Sequence, residues 1–118
     1  MMKNRLDGGV LRISNEVFTT ISGCAAQSCF GVKGMVARNA ADGLVQLLRR
    51  DSYAKGVRIS VPEGGKLVDI DLHIAIEHGV NIPALCKSIM SEVRYHVERT
   101  TGMKVGAVNI FIDSIMAS

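Results

Sequence analysis

The sequence predicts an α+β fold of two layers, a mixed sheet with helices packed on one face, in the order β-α-β-(α)-β-β-α-β. Three observations predict it. Val68, Ile70, Leu72, Ile74 and Ile76 alternate with Asp69, Asp71, His73 and Glu77, and Val108, Ile110 and Ile112 alternate with Asn109, Phe111 and Asp113. Alternation of this kind marks strands with one buried and one wet face. Between the two runs, Ile82, Leu85, Cys86, Ile89, Val93, Val97 and Thr100 recur at helical spacing. Pro62-Glu63-Gly64-Gly65 is a turn signal that joins the first run to the preceding apolar run as an antiparallel hairpin.

Residues 1–8 are polar and are expected to fray, leaving 9–115 as a single domain. Val10, Leu11 and Ile13 form the first strand. Ser14 then caps a helix with Glu16 in its first turn, where the helix dipole favours a carboxylate. Val17, Ile21, Cys24, Ala25 and Ser28 make a narrow stripe of mostly small side chains that would bring this helix close to the sheet, and Gly31 stops it in the left-handed conformation. Val32 to Arg38 is the second strand. Ala40 to Arg50 reads as a short helix with Leu44, Leu47 and Leu48 on one side. Val57, Ile59 and Val61 form the third strand, and Leu67 opens the fourth. Asn81 caps the long helix with Pro83 in its first turn, where a missing amide hydrogen costs nothing, and Thr101-Gly102 ends it before a last strand at 104–113. Gly31 to Val36 and Gly102 to Val108 echo each other as turns that launch a strand.

A chain of 118 residues, 47% apolar, can bury one core without staples, and with 4% aromatics that core is aliphatic. No apolar run approaches a bilayer span and no secretory leader is evident, so the expectation is a cytoplasmic protein with no direct membrane insertion. Cys24, Cys29 and Cys86 read as reduced thiols; the first two would point about 140° apart on a helix, poor geometry for a shared metal. The charge of +3 is unevenly placed, basic over 31–60 and acidic over 61–80. That asymmetry favours head-to-tail self-association or charged partners, against the plainer alternative of two solvated surfaces.

Catalytic and cofactor chemistry find little support. Asp69, Asp71, His73 and Glu77 share a strand face, but residues two apart on a strand lie ~7 Å from each other in an open row, with no pocket to shift a pKa. His73, His78 and His96 form no ligand pair on one helix, and Cys86 has no basic neighbour in sequence. No phosphate loop or serine elbow is present. The expectation is no enzyme, no catalytic residue, no metal and no cofactor. Gly31-Val32-Lys33-Gly34 resembles the backbone clamp of KH domains, and Lys33, Arg38, Arg49 and Arg50 would supply a phosphate path. In KH domains, however, the motif joins two helices, whereas here a strand follows. Nucleic acid is therefore the alternative partner rather than the leading one. Phe111 lies on the wet face beside Asn109 and His73, so Asp69, Asp71, His73, Asn109 and Phe111 form the candidate surface for protein contact.

The order and spacing of several segments resemble the alkaline shock protein family, the cell-envelope stress-response proteins of Gram-positive bacteria. The resemblance rests on Gly9-Val10-Leu11-Arg12-Ile13-Ser14 with Glu16-Val17, on Gly31-Val32-Lys33-Gly34-Met35, and on Gly56-Val57-Arg58-Ile59. It continues through Val68-Asp69-Ile70-Asp71-Leu72 to Glu77-His78-Gly79, then Val97 to Gly102 and Val105 to Ile110. What it implies is a non-catalytic cytoplasmic protein that forms homo-oligomers and gathers at the inner face of the membrane, held in some members by a separate membrane-anchor protein. Many members carry charged extensions where this chain has only a few residues beyond Asp113.

Overall fold

The computed structural model describes residues 2–38, 45–62 and 65–117, apart from the side chains of 2–5, 38, 50 and 51. Its elements are β1 (Met2–Leu6), β2 (Gly9–Ile13), α1 (Asn15–Gln27), β3 (Val32–Arg38), β4 (Val45–Leu47), a 3-10 helix (Arg50–Lys55), β5 (Val57–Ser60), β6 (Leu67–Glu77), α2 (Ile82–Thr101) and β7 (Lys104–Met116). The fold is α+β, with a mixed five-stranded sheet and a separate two-stranded hairpin.

The spine of the sheet is β6, whose Val68, Ile70, Leu72, Ile74 and Ile76 are buried almost completely. Along one edge of β6 runs β7, parallel, from Leu67↔Lys104 to Glu77↔Met116. The other edge is shared by two short antiparallel partners, β3 against residues 74–76 and β5 against 69–72. They follow each other along β6 as two pieces of one interrupted strand, with β4 and the 3-10 helix between them in sequence. The helices α1 and α2 pack on each other, α1 against β3 and β5 and α2 against β7. Their buried side chains join those of β6 in a single core.

Several expectations are corrected. Residues 2–6 do not fray: they pair antiparallel with 9–13 around Asp7-Gly8. A two-residue Asp-Gly connection is the strongest short hairpin signal, and the backbone hydrogen bonds it closes outweigh the polar side chains that suggested disorder. The first strand therefore joins that hairpin instead of the main sheet. Of the helix expected over 40–50, residues 40–44 lie outside the described residues, while 45–47 form β4, paired with 36–38. A helix of that length is marginal alone, and the open edge of β3 offers the same backbone groups partners at once; the Leu48 amide donates to the Met35 carbonyl at 2.8 Å. Gly31 does adopt positive φ, at 99°, but α1 has already ended at Gln27.

The buried face of α1 is rotated by one position from the expected stripe. Phe18, Thr19, Ser22, Gly23, Ala25 and Ala26 are buried, whereas Val17 is 42% exposed. Small side chains still bring the helix close: a Cβ on Gly23 would run into the Tyr53 ring. On α2 the stripe is Leu85, Ile89, Val93, Val97 and Thr101, with Thr100 exposed. The Thr101 hydroxyl is satisfied by donating to the Val97 carbonyl at 2.6 Å. Both ends of α2 are as expected: the Asn81 side chain accepts from the Ala84 amide at 3.0 Å, and Gly102 closes the helix at φ 75°.

Candidate interaction surface

Because both helices cover one face of the sheet, the opposite face is accessible at Asp69, Asp71 and His73 of β6 and at Asn109 and Phe111 of β7, while Ala75 further along β6 is buried. The parallel register places Asp71 beside Asn109 and His73 beside Phe111. The Asn109 Nδ2 donates to Asp71 Oδ1 at 2.9 Å. The His73 and Phe111 rings stack, centroids 4.9 Å apart and planes 15° from parallel. Phe111 remains 44% exposed. His73 Nδ1 lies 2.9 Å from Asp113 Oδ2; since a carboxylate can only accept, Nδ1 carries the hydrogen of that bond. The five side chains expected to share a surface are brought together, and Asp113 joins them. Its position two residues beyond Phe111 on the same alternation was the signal that could have added it.

Asp69 has a different task from its neighbours. The β6–β7 register slips by one residue at Gly106–Ala107 and again at Asp113, so β7 carries two bulges. The Asp69 carboxylate fills the first, accepting the Ala107 amide at 3.0 Å. A Cβ on Gly106 would stand 2.6 Å from that same oxygen, so a side chain there would push the Asp69 carboxylate off this bond. The Asp113 carboxylate reaches back from the second bulge to His73. The polar row is thus a ladder of partnered groups across two strands rather than a cluster of free acids.

The KH resemblance of the alternative surface finds no support in the backbone. The Gly31 to Gly34 segment joins α1 to β3, with Gly34 in register with Ala75, so no second helix forms the KH clamp. Lys33 is half-buried and Arg49 exposed, and the side chains of Arg38 and Arg50 lie outside the described residues.

Among the described residues, no group of three or more His, Cys, Asp or Glu side chains converges. His96 is exposed and pairs with Glu92 at 3.2 Å. Cys86 is half-buried and Cys29 buried. Burial pushes both thiols above their ordinary pKa; for Cys29 a hydrogen bond from Ser88 acts the other way and the Glu92 charge adds to the rise. The thiolate is the reactive form, so a raised pKa leaves less of it at neutral pH. Alkylation of Cys29 and Cys86 by iodoacetamide at pH 7–8, followed by mass spectrometry, is expected to run slower than that of free cysteine. Reaction faster than free cysteine at Cys86 would point to an activated nucleophile instead. A cavity of about 380 Å³ lies between α1 and α2, lined by Ile21, Cys24, His96 and Thr100 among others. No helix among the described residues is long and apolar enough to cross a membrane.

Comparison with known proteins places residues 3–117 in register with the alkaline shock protein 23 family, described as having a cell envelope-related function. The chain is 33% identical over 108 residues to the uncharacterized protein YloU of Bacillus subtilis, covering 91% of this chain and 88% of that protein. It is 32% identical over 108 residues to the uncharacterized protein Spy1614 of Streptococcus pyogenes, with the same coverage. A stress response regulator gls24 homolog of Streptococcus pyogenes is 31% identical over 107 residues, and this chain spans 59% of its length. Among solved structures, a substituted form of the MamM C-terminal domain superposes with a TM-score of 0.47 at 15% identity, over 89% of this chain and 99% of that one.

Proposed function

The chain belongs to the alkaline shock protein 23 family, of cell envelope-related function, and from that premise we propose that it is a non-enzymatic interaction domain of the envelope stress response. It acts by associating with itself and with a protein partner close to the membrane. A membrane-anchor protein is the partner class that suits a chain with no spanning helix among its described residues. The stress-response role has its support in relatives named stress response regulators.

The single observation that carries the reading is the open sheet face. It presents an exposed aromatic, Phe111, stacked on His73 within a ladder of hydrogen-bonded polar groups. A half-exposed aromatic held rigid by its neighbours loses little entropy on docking, which is what a contact residue needs. A partnered ladder is poor at acid–base chemistry, because its carboxylates already accept from fixed donors.

The test is the double variant Asp71→Ala/Phe111→Ala. It is expected to weaken self-association, read by sedimentation over a concentration series, by at least about tenfold, since an aromatic anchor and one polar rung are lost. Capture of the membrane-anchor partner should fall in parallel. A variant that folds normally and sediments and captures as the parent does would remove this surface from consideration.

A further inference from the structure

The outer edge of β7 is the one long strand edge left unpaired among the described residues. The strand runs for 13 residues and contacts β6 on one side and α2 near its start. There the Arg94 side chain donates to the Val105 carbonyl and Glu98 accepts the Val105 amide, so the first residues are covered. From Val108 onward no strand among the described residues pairs the second edge. The other outer strands, β4 and β5, have three and four residues. Natural edges of this length are guarded by lysine, proline or inward charges. Residues 105–116 contain no proline and no basic residue, and their only charge is Asp113.

We infer that the occupant of this edge is a second copy of the chain, its β7 lying antiparallel to the first with Phe111 on the two-fold axis. The inference rests on the self-association proposed above and specifies its geometry. The sequence around Phe111 is self-complementary: in this register Ile110 faces Ile112 of the partner subunit and Asn109 faces Asp113 of the partner subunit, each twice. Opposed residues fall on the same side of the joined sheet, so apolar meets apolar and amide meets carboxylate. No like charges are opposed.

The hydrogen-bonding groups have capacity to spare. Asn109 gives one amide hydrogen to Asp71 and keeps a second; the Asp113 carboxylate, engaged with His73 through Oδ2, keeps further lone pairs. Joining them carries each protomer's polar ladder across the axis. The stacked His73–Phe111 pair of one protomer meets that of its partner, and the half-buried Ile110 and Ile112 cover one another on the helix side. The bulges at Gly106–Ala107 and Asp113 bound the regular segment, so pairing stops after a few residues. The contact is therefore small and reversible, of the weak interface class.

Engineered disulfides read the register directly. Opposed residues in an antiparallel pair have Cα atoms about 4.5–5.5 Å apart, within disulfide reach. Phe111→Cys should form a covalent dimer under copper–phenanthroline. Asn109→Cys alone and Asp113→Cys alone should not, yet an equal mixture of those two chains, one carrying a size tag, should give the mixed dimer with Phe111 intact. Cys24, Cys29 and Cys86 remain in every sample and set the background seen with the parent chain. If the parent self-associates in sedimentation but neither Phe111→Cys nor the mixture cross-links above background, edge pairing is overturned and the self-association reading stands. If Asn109→Cys alone links as well as the mixture, the register is wrong. A parent chain that stays monomeric across the concentration series and gives no cross-link overturns both.

Discussion

Phe18→Ala is expected to cost about 3–5 kcal/mol of folding stability, whereas Val17→Ala, one position earlier, costs less than about 1 kcal/mol. The contrast follows from the rotation of α1. Phe18 is wholly inaccessible and belongs to the same buried cluster as Ile70 and Leu72 of the central strand, while Val17 is 42% exposed. Truncating a buried ring removes its transfer free energy and leaves a cavity that a helix clamped between the sheet and Tyr53 cannot readily fill. Native domains are stable by only about 5–15 kcal/mol, so the loss is a large share of the total. Urea titrations should show the midpoint falling sharply with an unchanged slope for Phe18→Ala, and hardly moving for Val17→Ala. Equal losses in the two variants would mean that α1 presents the other face to the core.

A second large effect is expected at Gly56, where the chain leaves the 3-10 helix and enters β5. Gly56 has φ −112° and ψ −2°, a conformation open to any residue. On backbone grounds alone alanine there would be stabilising by about 0.4–1 kcal/mol. The surroundings reverse the sign. A Cβ at this position would stand 2.6 Å from the Val36 carbonyl oxygen and 3.0 Å from Leu48 Cδ1. The residue cannot step aside, because its amide donates to the Tyr53 carbonyl at 2.9 Å and its own carbonyl accepts the His73 amide at 2.8 Å. Gly56→Ala is therefore expected to destabilise by about 1–3 kcal/mol, and Gly56→Val by more. Thermal unfolding reads this as a fall of several degrees per kcal/mol. A rise in the midpoint for Gly56→Ala would show that β3 and β5 do not approach as closely as described. Neither substitution touches Phe111, so self-association measured well below the midpoint should survive in both.

The candidate surface was legible because alternation along β6 and β7 is a local property: period two assigns Asp71, His73, Asn109 and Phe111 to one face before any partner strand is known. Their actual partners were not legible. That Asn109 meets Asp71, and that Asp113 meets His73, depends on a parallel register interrupted by two bulges, and bulges follow from cross-strand fit rather than from either strand alone. The role of Asp69 in filling the first bulge was hidden for the same reason. On α1, the face that turned inward lies one position round from the expected stripe. That rotation was decided by the sheet and by Tyr53, through contacts remote in sequence.

By itself, then, the sequence determined the fold class, the long helix with both its caps, and the wet face of β6 and β7, because turn chemistry, capping and side-chain periodicity act over a few residues. Tertiary structure decided the rest. The two pieces of edge strand along β6, the pairing of residues 45–47 as β4, and the open edge of β7 all turn on which backbone groups find partners across the chain. That satisfaction is non-local, and no window of sequence contains it.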